Sequence, residues 1–340
     1  MASRTRRYGL FTALIMLSSP VSAQMADDSA ARPDPTAPIA GERSVLTSRG
    51  GLVIEPSIQY IHSSATQVAI DGFTVIPAIA IGLINVGEVQ RNSFIAALAL
   101  RYGLTSRLEA EVKVPWVWRD EQIRQRDVMQ GSDFDIVQGS SGEGLGDVEF
   151  GLRYQFNRGV RGPVVVGGLR VKSNTGTGPF DVSRRALLSE HGIQVGEIYE
   201  EQPTGSGFWS VQPSLTLIVP SDPAVLHFSI NYLWNVERDM RGMAGRINPG
   251  NAVGASLGLG LAINDRTSFS LGYDHAVVGR TRRDGDSGLD PTFKRINVGT
   301  ALIGFSHRLS ARRSLNIGIG LGATSAAPDA QISLRLPIRI

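Results

Sequence analysis

The 340-residue chain contains no cysteine. That excludes a disulfide framework, a thiolate metal site and a lipid anchor attached through an N-terminal Cys. Lysine is nearly absent too, with only Lys113, Lys172 and Lys294, and no stretch has the 3.6-residue period of an amphipathic helix. Beyond the first 23 residues no run approaches the ~18 consecutive apolar residues that a spanning helix needs. The Gly-rich segments GEGLGDVE (142–149) and GIGLGA (318–323) do not open a helix and carry no phosphate-binding lysine, so neither is a nucleotide loop. GSSGE (139–143) lacks the spacing of a nucleophile elbow. The five histidines, His62, His191, His227, His275 and His307, include no pair at metal-ligand spacing. No catalytic residue, cofactor or metal is therefore expected.

The N-terminus carries the clearest positive signal. Arg4, Arg6 and Arg7 precede a short apolar core, Tyr8 to Leu17, and Val21-Ser22-Ala23 offers a small-residue cleavage site. This pattern predicts a secretory signal peptide over 1–23 and a mature start at Gln24. Removing it takes three of the 34 basic residues and none of the 31 acidic ones. The mature chain is then near neutral, which withdraws electrostatic support for nucleic-acid binding. Residues 24–48, rich in Ala, Asp, Pro and Ser, cannot bury a core and read as a disordered periplasmic tail.

From 49 onward the period changes to two. In RLEAEVKVPWVWR (107–119), Leu108, Ala110, Val112, Val114, Trp116 and Trp118 point one way, and Arg107, Glu109, Glu111, Lys113 and Arg119 the other, because strand side chains alternate faces. Residues 144–156, 207–219, 224–237, 251–263 and 331–340 repeat the pattern. Runs of this length cross a bilayer as tilted strands. With 39 glycines to relieve crowding, the chain is expected to form an all-β, transmembrane, antiparallel up-and-down barrel over 49–340. Trp116, Trp118, Tyr154, Phe156, Trp209, Tyr232 and Trp234 are expected in its aromatic girdle, facing outer-membrane lipid and lipopolysaccharide.

Short turns at 103–106, 157–162, 220–223, 264–265 and 310–312 alternate with long connections at 120–143, 174–206, 238–248 and 279–294, as periplasmic turns alternate with extracellular loops. Counting back from the C-terminus makes 51–63 the first strand and 64–91 an extracellular connection. Its apolar part, GFTVIPAIAIGLINV (72–86), would give an odd strand count if taken as a strand. About twelve strands are expected, with 72–86 folded inward or onto the rim; fourteen follow if it forms a hairpin. Phe73, Ile76, Ile79, Ile81 and Leu83 are the candidate loop gate.

The segments LVIEPSIQY (52–60), RYGLTSRLEAEVKVPWVWR (101–119) and GLGDVEFGLRYQF (144–156) resemble the outer-membrane transporter-like barrels grouped with phenol meta-degradation proteins, distantly similar in style to FadL-type channels. The resemblance, strongest over 50–175, implies a pore for aromatic or apolar compounds, inserted by the barrel assembly machinery. Some similar barrels serve functional-amyloid export and carry an N-terminal coiled coil; residues 24–48 contain no heptads. The chain ends in Ile340 where an assembly signal usually ends in Phe. The pore-lining candidates are Glu109, Glu111, Lys113, Asp147, Glu149, Arg153, Arg170 and Lys172. As a selectivity surface they would tune passage of a small solute; the same charges also fit a salt-bridge network filling a narrow barrel. A barrel-embedded lipase-like enzyme would need a Ser and a His meeting across strands.

Overall fold

The computed structural model describes residues 46–71, 83–127, 135–157, 162–188, 194–221, 224–240, 245–283 and 295–340. All regular elements among them are strands: β1 (Leu52–Asp71), β2 (Leu83–Gly103), β3 (Leu108–Asp127), β4 (Asp135–Leu145), β5 (Glu149–Gln155), β6 (Val164–Lys172), β7 (Arg184–Leu188), β8 (Gln194–Tyr199), β9 (Ser210–Pro220), β10 (Ala224–Asn235), β11 (Arg238–Met240), β12 (Gly245–Asn248), β13 (Ala252–Asn264), β14 (Thr267–Val278), β15 (Arg282–Arg283), β16 (Ile296–Arg308), β17 (Ser314–Gly322), β18 (Ala330–Arg335) and β19 (Ile338–Arg339).

The large sheet runs β1, β2, β3, β5, β6, β9, β10, β13, β14, β16, β17, β18, and closes because β18 and β19 pair back onto β1. The seam is in register from Ser57 opposite Arg335 to His62 opposite Ala330, and Val53 lies opposite Arg339. Two wall strands are interrupted. β4 and β5 both pair with β3, and β18 gives way to β19 at Leu336-Pro337. Taking each as one strand gives a closed, twelve-stranded antiparallel barrel, which removes every sheet edge. Closure also locks register, since a one-residue slip would turn the charged face into lipid.

The outward face is apolar by the alternation read from sequence. Val112, Val114, Trp116 and Trp118 of β3 and Phe150, Leu152 and Tyr154 of β5 are all exposed. Their intervening partners face inward, and Glu109 and Glu149 are buried. Tyr154 stands opposite Leu108 near the short turns, and Trp118 lies ten residues farther along β3. At ~3.3 Å per residue and a tilt of about 40°, the belt between them is roughly 25 Å tall, the height of an outer-membrane hydrocarbon band. Tyr154 and Phe156 stack edge-to-face at one level; Trp116, Trp118 and Phe94 form a tilted cluster at the other, where Trp209, Tyr232 and Trp234 are also exposed.

Three sequence expectations are corrected. Residues 64–91 are not a free connection. β1 and β2 continue as an unbroken pair up to Asp71 opposite Leu83, and Val86 pairs with Val68 inside that ladder. Of the proposed inward-folding segment, 83–86 are therefore strand, with Leu83 at its tip; Phe73, Ile76, Ile79 and Ile81 lie outside the described residues. Residues 120–143 likewise form a tall hairpin, with Arg126 opposite Asp135. Alternating polar residues here still satisfy period-two pairing, and a hairpin that rises beyond the lipid needs no apolar face. The other long connections carry a β7–β8 hairpin and a three-stranded β11-β12-β15 sheet. The signal peptide and most of the tail lie outside the described residues. The tail's expected end at 48 is too late, because Leu46 and Thr47 already make specific contacts with the barrel wall.

Candidate functional site

The interior of the barrel is the candidate site, and its wall divides into two arcs. On β1 to β6 the inward positions are charged and paired. Arg101 bridges to Glu55 and Arg91 to Glu121. Arg153 reaches Glu109 Oε1 at 2.9 Å and Glu111 Oε2 at 2.6 Å. Glu149 sits between Lys113 and Arg170, at 3.6 Å from each. Lys172 lies 3.7 Å from Asp147. The antiparallel register explains the pairing, since Glu109 stands directly opposite Arg153, Lys113 opposite Glu149 and Glu149 opposite Lys172. All eight charged residues singled out from the sequence are therefore ion-paired, in three groups: Glu109–Arg153–Glu111, Lys113–Glu149–Arg170 and Asp147–Lys172. The Glu55–Arg101 and Arg91–Glu121 pairs add to these, and alternation in β1 and β2 is the signal for them.

Asp147 has a further role. From Lys113–Glu149 to Trp116–Leu145, β3 advances three residues while its partner advances four. This is a β-bulge, which re-aims a side chain. Asp147 Oδ1 accepts from Gly176 N at 3.0 Å, and Oδ2 accepts from Ser206 N at 2.8 Å and Ser206 Oγ at 2.6 Å. Gly176 and Gly205 pack backbone to backbone beside it; a Cβ on Gly205 would lie 2.5 Å from Asp147 Oδ1. Thr175 Oγ1 donates to Gly146 O and accepts from Val148 N, both at 2.9 Å, so the bulge leaves these groups satisfied. Farther along, Arg119 donates to Pro203 O at 2.8 Å and Gln202 Nε2 to Ser140 Oγ at 2.6 Å. The β6–β9 connection is thus pinned to the wall by both of its flanks.

The second arc, β9 to β18, is built differently. Inward positions of β13 are Ala252, Gly254, Ser256, Gly258 and Gly260, all buried, while Val253, Ala255 and Leu257 are exposed outside. Gly254 lies under Asn231 and Gly258 under the His227 ring, where an added Cβ would come within 2.7 Å and 2.1 Å. Neighbouring strands contribute short neutral groups: Thr216 to Ser229 at 3.0 Å, Gln212 to Asn231 at 3.0 Å, and Ser306 to Asn316 at 2.7 Å. Toward the long-loop end this arc becomes apolar. Ala252, Val278 and Val298 form a buried cluster with Leu233 and Ile296, covered by Ala326 and Ala327 from the β17–β18 connection.

At the short-turn end the chain enters across the lumen. Leu46 packs on Val164, Val166 and Ile218, and Thr47 N donates to Glu109 Oε2 at 2.7 Å. Gly50 N donates to Gly103 O at 2.8 Å. Gly103 has to be glycine, since a Cβ would meet Ser48 O at 2.1 Å. Sequence reasoning missed this crossing, because Val45-Leu46 is only a short apolar pair in a polar stretch. Among the described residues no cluster of His, Asp and Glu has metal-binding geometry. The hydroxyl of Thr267 lies 2.9 Å from His307 Nδ1, but no carboxylate backs the ring among the described residues, so the pair lacks the third member of a triad.

No family model matches the chain. Among solved structures it is similar to an outer-membrane channel from Pseudomonas putida F1, at 15% identity and TM-score 0.56, covering 89% of this chain and 99% of that one. That similarity establishes a shared barrel fold. Lower-scoring similarities include the translocator domain of the autotransporter NalP from Neisseria meningitidis (10% identity, TM-score 0.43, covering 89% and 90%). Another is the Pseudomonas putida toluene transporter TodX (11% identity, TM-score 0.38, covering 86% and 89%).

Proposed function

We propose that the chain is an outer-membrane channel for small apolar or aromatic solutes. The observation that carries this reading is the apolar cluster of Leu233, Ala252, Val278, Ile296 and Val298 on the inner wall at the long-loop end. These residues pack beneath Ala326 and Ala327, so the long-loop end of this arc is an apolar layer rather than a ring of polar groups; an apolar solute that displaced the two alanines would be stabilised at about 25 cal/mol per Å² of buried area. Below it Gly254 and Gly258 make room for the Asn231 and His227 side chains, while the ion pairs opposite have their charges neutralised in place. The similar barrel from Pseudomonas putida F1 is an outer-membrane channel, which supports the reading.

In this proposal residues 1–23 direct export and are removed, the barrel assembly machinery inserts 49–340, and the aromatic girdle faces lipid and lipopolysaccharide. The sequence motifs resemble those of transporter-like barrels grouped with phenol meta-degradation proteins. The β1–β2 hairpin, which rises to Asp71 opposite Leu83, would be the first surface a solute meets. The test is uptake of a radiolabelled neutral aromatic hydrocarbon by cells with a lipopolysaccharide outer membrane expressing either the wild type or Ala252→Trp. The expected result is uptake several-fold lower in the variant with the heat-modifiable, folded band intact. Equal uptake at equal folded protein would remove the apolar mouth from the argument.

A further inference from the structure

On the rim arc that the N-terminal segment does not cross, the short-turn mouth contains a cavity of about 230 Å³. Five arginines line it, Arg266, Arg308, Arg312, Arg313 and Arg339, against one carboxylate, Asp265. They come from the β13–β14 turn, the β16–β17 turn and the last strand, which the pairing of β14 with β16 and of β17 with β18 and the Arg313–Ile338 bridge bring side by side. Backbone hydrogen bonds fix their starting points: Arg308 N to Arg266 O at 2.7 Å, Arg339 N to Arg312 O at 2.8 Å, and Leu309 N to Arg313 O at 3.0 Å. Arg266 N is held by Asn264 Oδ1 at 2.9 Å.

The charge balance here is opposite to that of the rest of the inner wall. On β1 to β6, Arg91, Arg101, Lys113, Arg153, Arg170 and Lys172 each have a carboxylate within ion-pair distance. Among the described residues Arg266, Arg308, Arg312 and Arg313 have none. Like charges gathered on a fixed frame repel one another, and a bound anion relieves that repulsion. Guanidinium forks match planar carboxylate and phosphate oxygens through paired N–H donors, which an ammonium cannot do. The cavity is larger than the ~150 Å³ that holds a benzene ring, so an aromatic carboxylate fits within it.

We propose that this cavity is an oxyanion-binding site that takes a carboxylate or phosphate group at the short-turn mouth of the barrel. Two sources share that chemistry. One is a small solute bearing a carboxylate, arriving along the lumen. The other is the phosphate of a lipid headgroup, because exposed Ile263, Leu309 and Ile340 mark the edge of the lipid belt beside the cavity.

The test uses the full-length folded protein in neutral-detergent micelles and titration calorimetry with sodium benzoate, inorganic phosphate, or micelles doped with phosphatidylglycerol. Wild type is expected to bind at least one of these with a Kd of roughly 1 mM or tighter. Arg308→Gln/Arg312→Gln should weaken that binding at least tenfold, and either single variant about threefold. Arg107→Gln, at a different short turn, should leave it unchanged. Benzoate or phosphate binding that the double variant loses identifies a free anion; loss confined to phosphatidylglycerol identifies the headgroup. Absence of binding by all three in wild type, or undiminished binding in the folded single variants, overturns the proposal. Calorimetry does not depend on transport, so a failure here leaves the channel reading intact, and a failure of aromatic uptake leaves this site intact.

Discussion

The two arcs of the barrel wall solve the same problem in opposite ways. Both must fill the inside of a closed sheet without apolar bulk at mid-depth. The β1–β6 arc fills it with long charged side chains locked into pairs, from Glu55–Arg101 to Asp147–Lys172. In the β9–β18 arc Gly254 and Gly258 make room for the Asn231 side chain and the His227 ring, and Ser256 and Ser270 add short hydroxyls. Buried ion pairs contribute little net stability but are costly to break on one side. Small hydroxyls are cheap to lose. The first arc is therefore a rigid post, and the second a closely packed wall of small neutral groups.

The largest effect should come from breaking the post at Asp147. Asp147→Ala removes the acceptor of Gly176 N, Ser206 N and Ser206 Oγ and the carboxylate 3.7 Å from Lys172, a loss of about 3–5 kcal/mol for a buried charge partner. Urea unfolding in phosphatidylcholine vesicles should show it as a lower midpoint, and planar-bilayer conductance should rise as the β6–β9 connection detaches. An unchanged midpoint would mean that this connection is held elsewhere. Next is Glu149→Gln, which strands Lys113 and Arg170 together. Both cations are partly exposed, so water screens the loss and about 1–3 kcal/mol is expected. On the opposite arc, Thr300 is fully buried and its hydroxyl has no partner among the described residues. Thr300→Val should shift the same midpoint by under about 1 kcal/mol in either direction. If Thr300→Val proved as costly as Glu149→Gln, the contrast between the arcs would collapse.

What the sequence made legible is what depends on neighbouring residues alone. The alternation over 107–119 predicted that Val112 to Trp118 face outward and Glu109 to Lys113 inward, and the alternation of short and long connections led to twelve strands. The extent of the first two hairpins was not legible, since polar alternation at 120–127 reads equally as loop or as a strand standing clear of lipid. Long-range closures were not legible either. Leu46 meets Val164 and Ile218 across the lumen, and Arg266 meets Arg312 and Arg339 because the turns beside β14, β16 and β17 and the last strand lie side by side. The Asp147 bulge depends on a one-residue mismatch between β3 and its partner, which neither strand records by itself.

The smallest effect is expected outside the membrane, where the β7–β8 hairpin meets the rest of the loop layer. Tyr199 is buried there, its hydroxyl accepts from Arg184 Nη2 at 3.0 Å, and the Arg184 guanidinium stacks over its ring. Burial pushes the Tyr199 phenol above its ordinary value, and the Arg184 charge opposes that rise only in part. A phenol whose pKa is raised on folding contributes stability that is fully present below about pH 10, the value in an unfolded chain, and is lost as pH climbs through the higher folded value. The hairpin should therefore loosen in strongly alkaline solution, while the ion-paired arc of the barrel stays closed. Because the chain has no cysteine, a single Ser183→Cys next to β7 can carry a spin label without background. Label mobility should rise only above about pH 10 in that protein and stay flat when Tyr199→Phe is added, since Phe keeps the packing and cannot ionise. A matching rise in the Phe variant would assign the alkaline change to some other group and leave Tyr199 with a packing role alone.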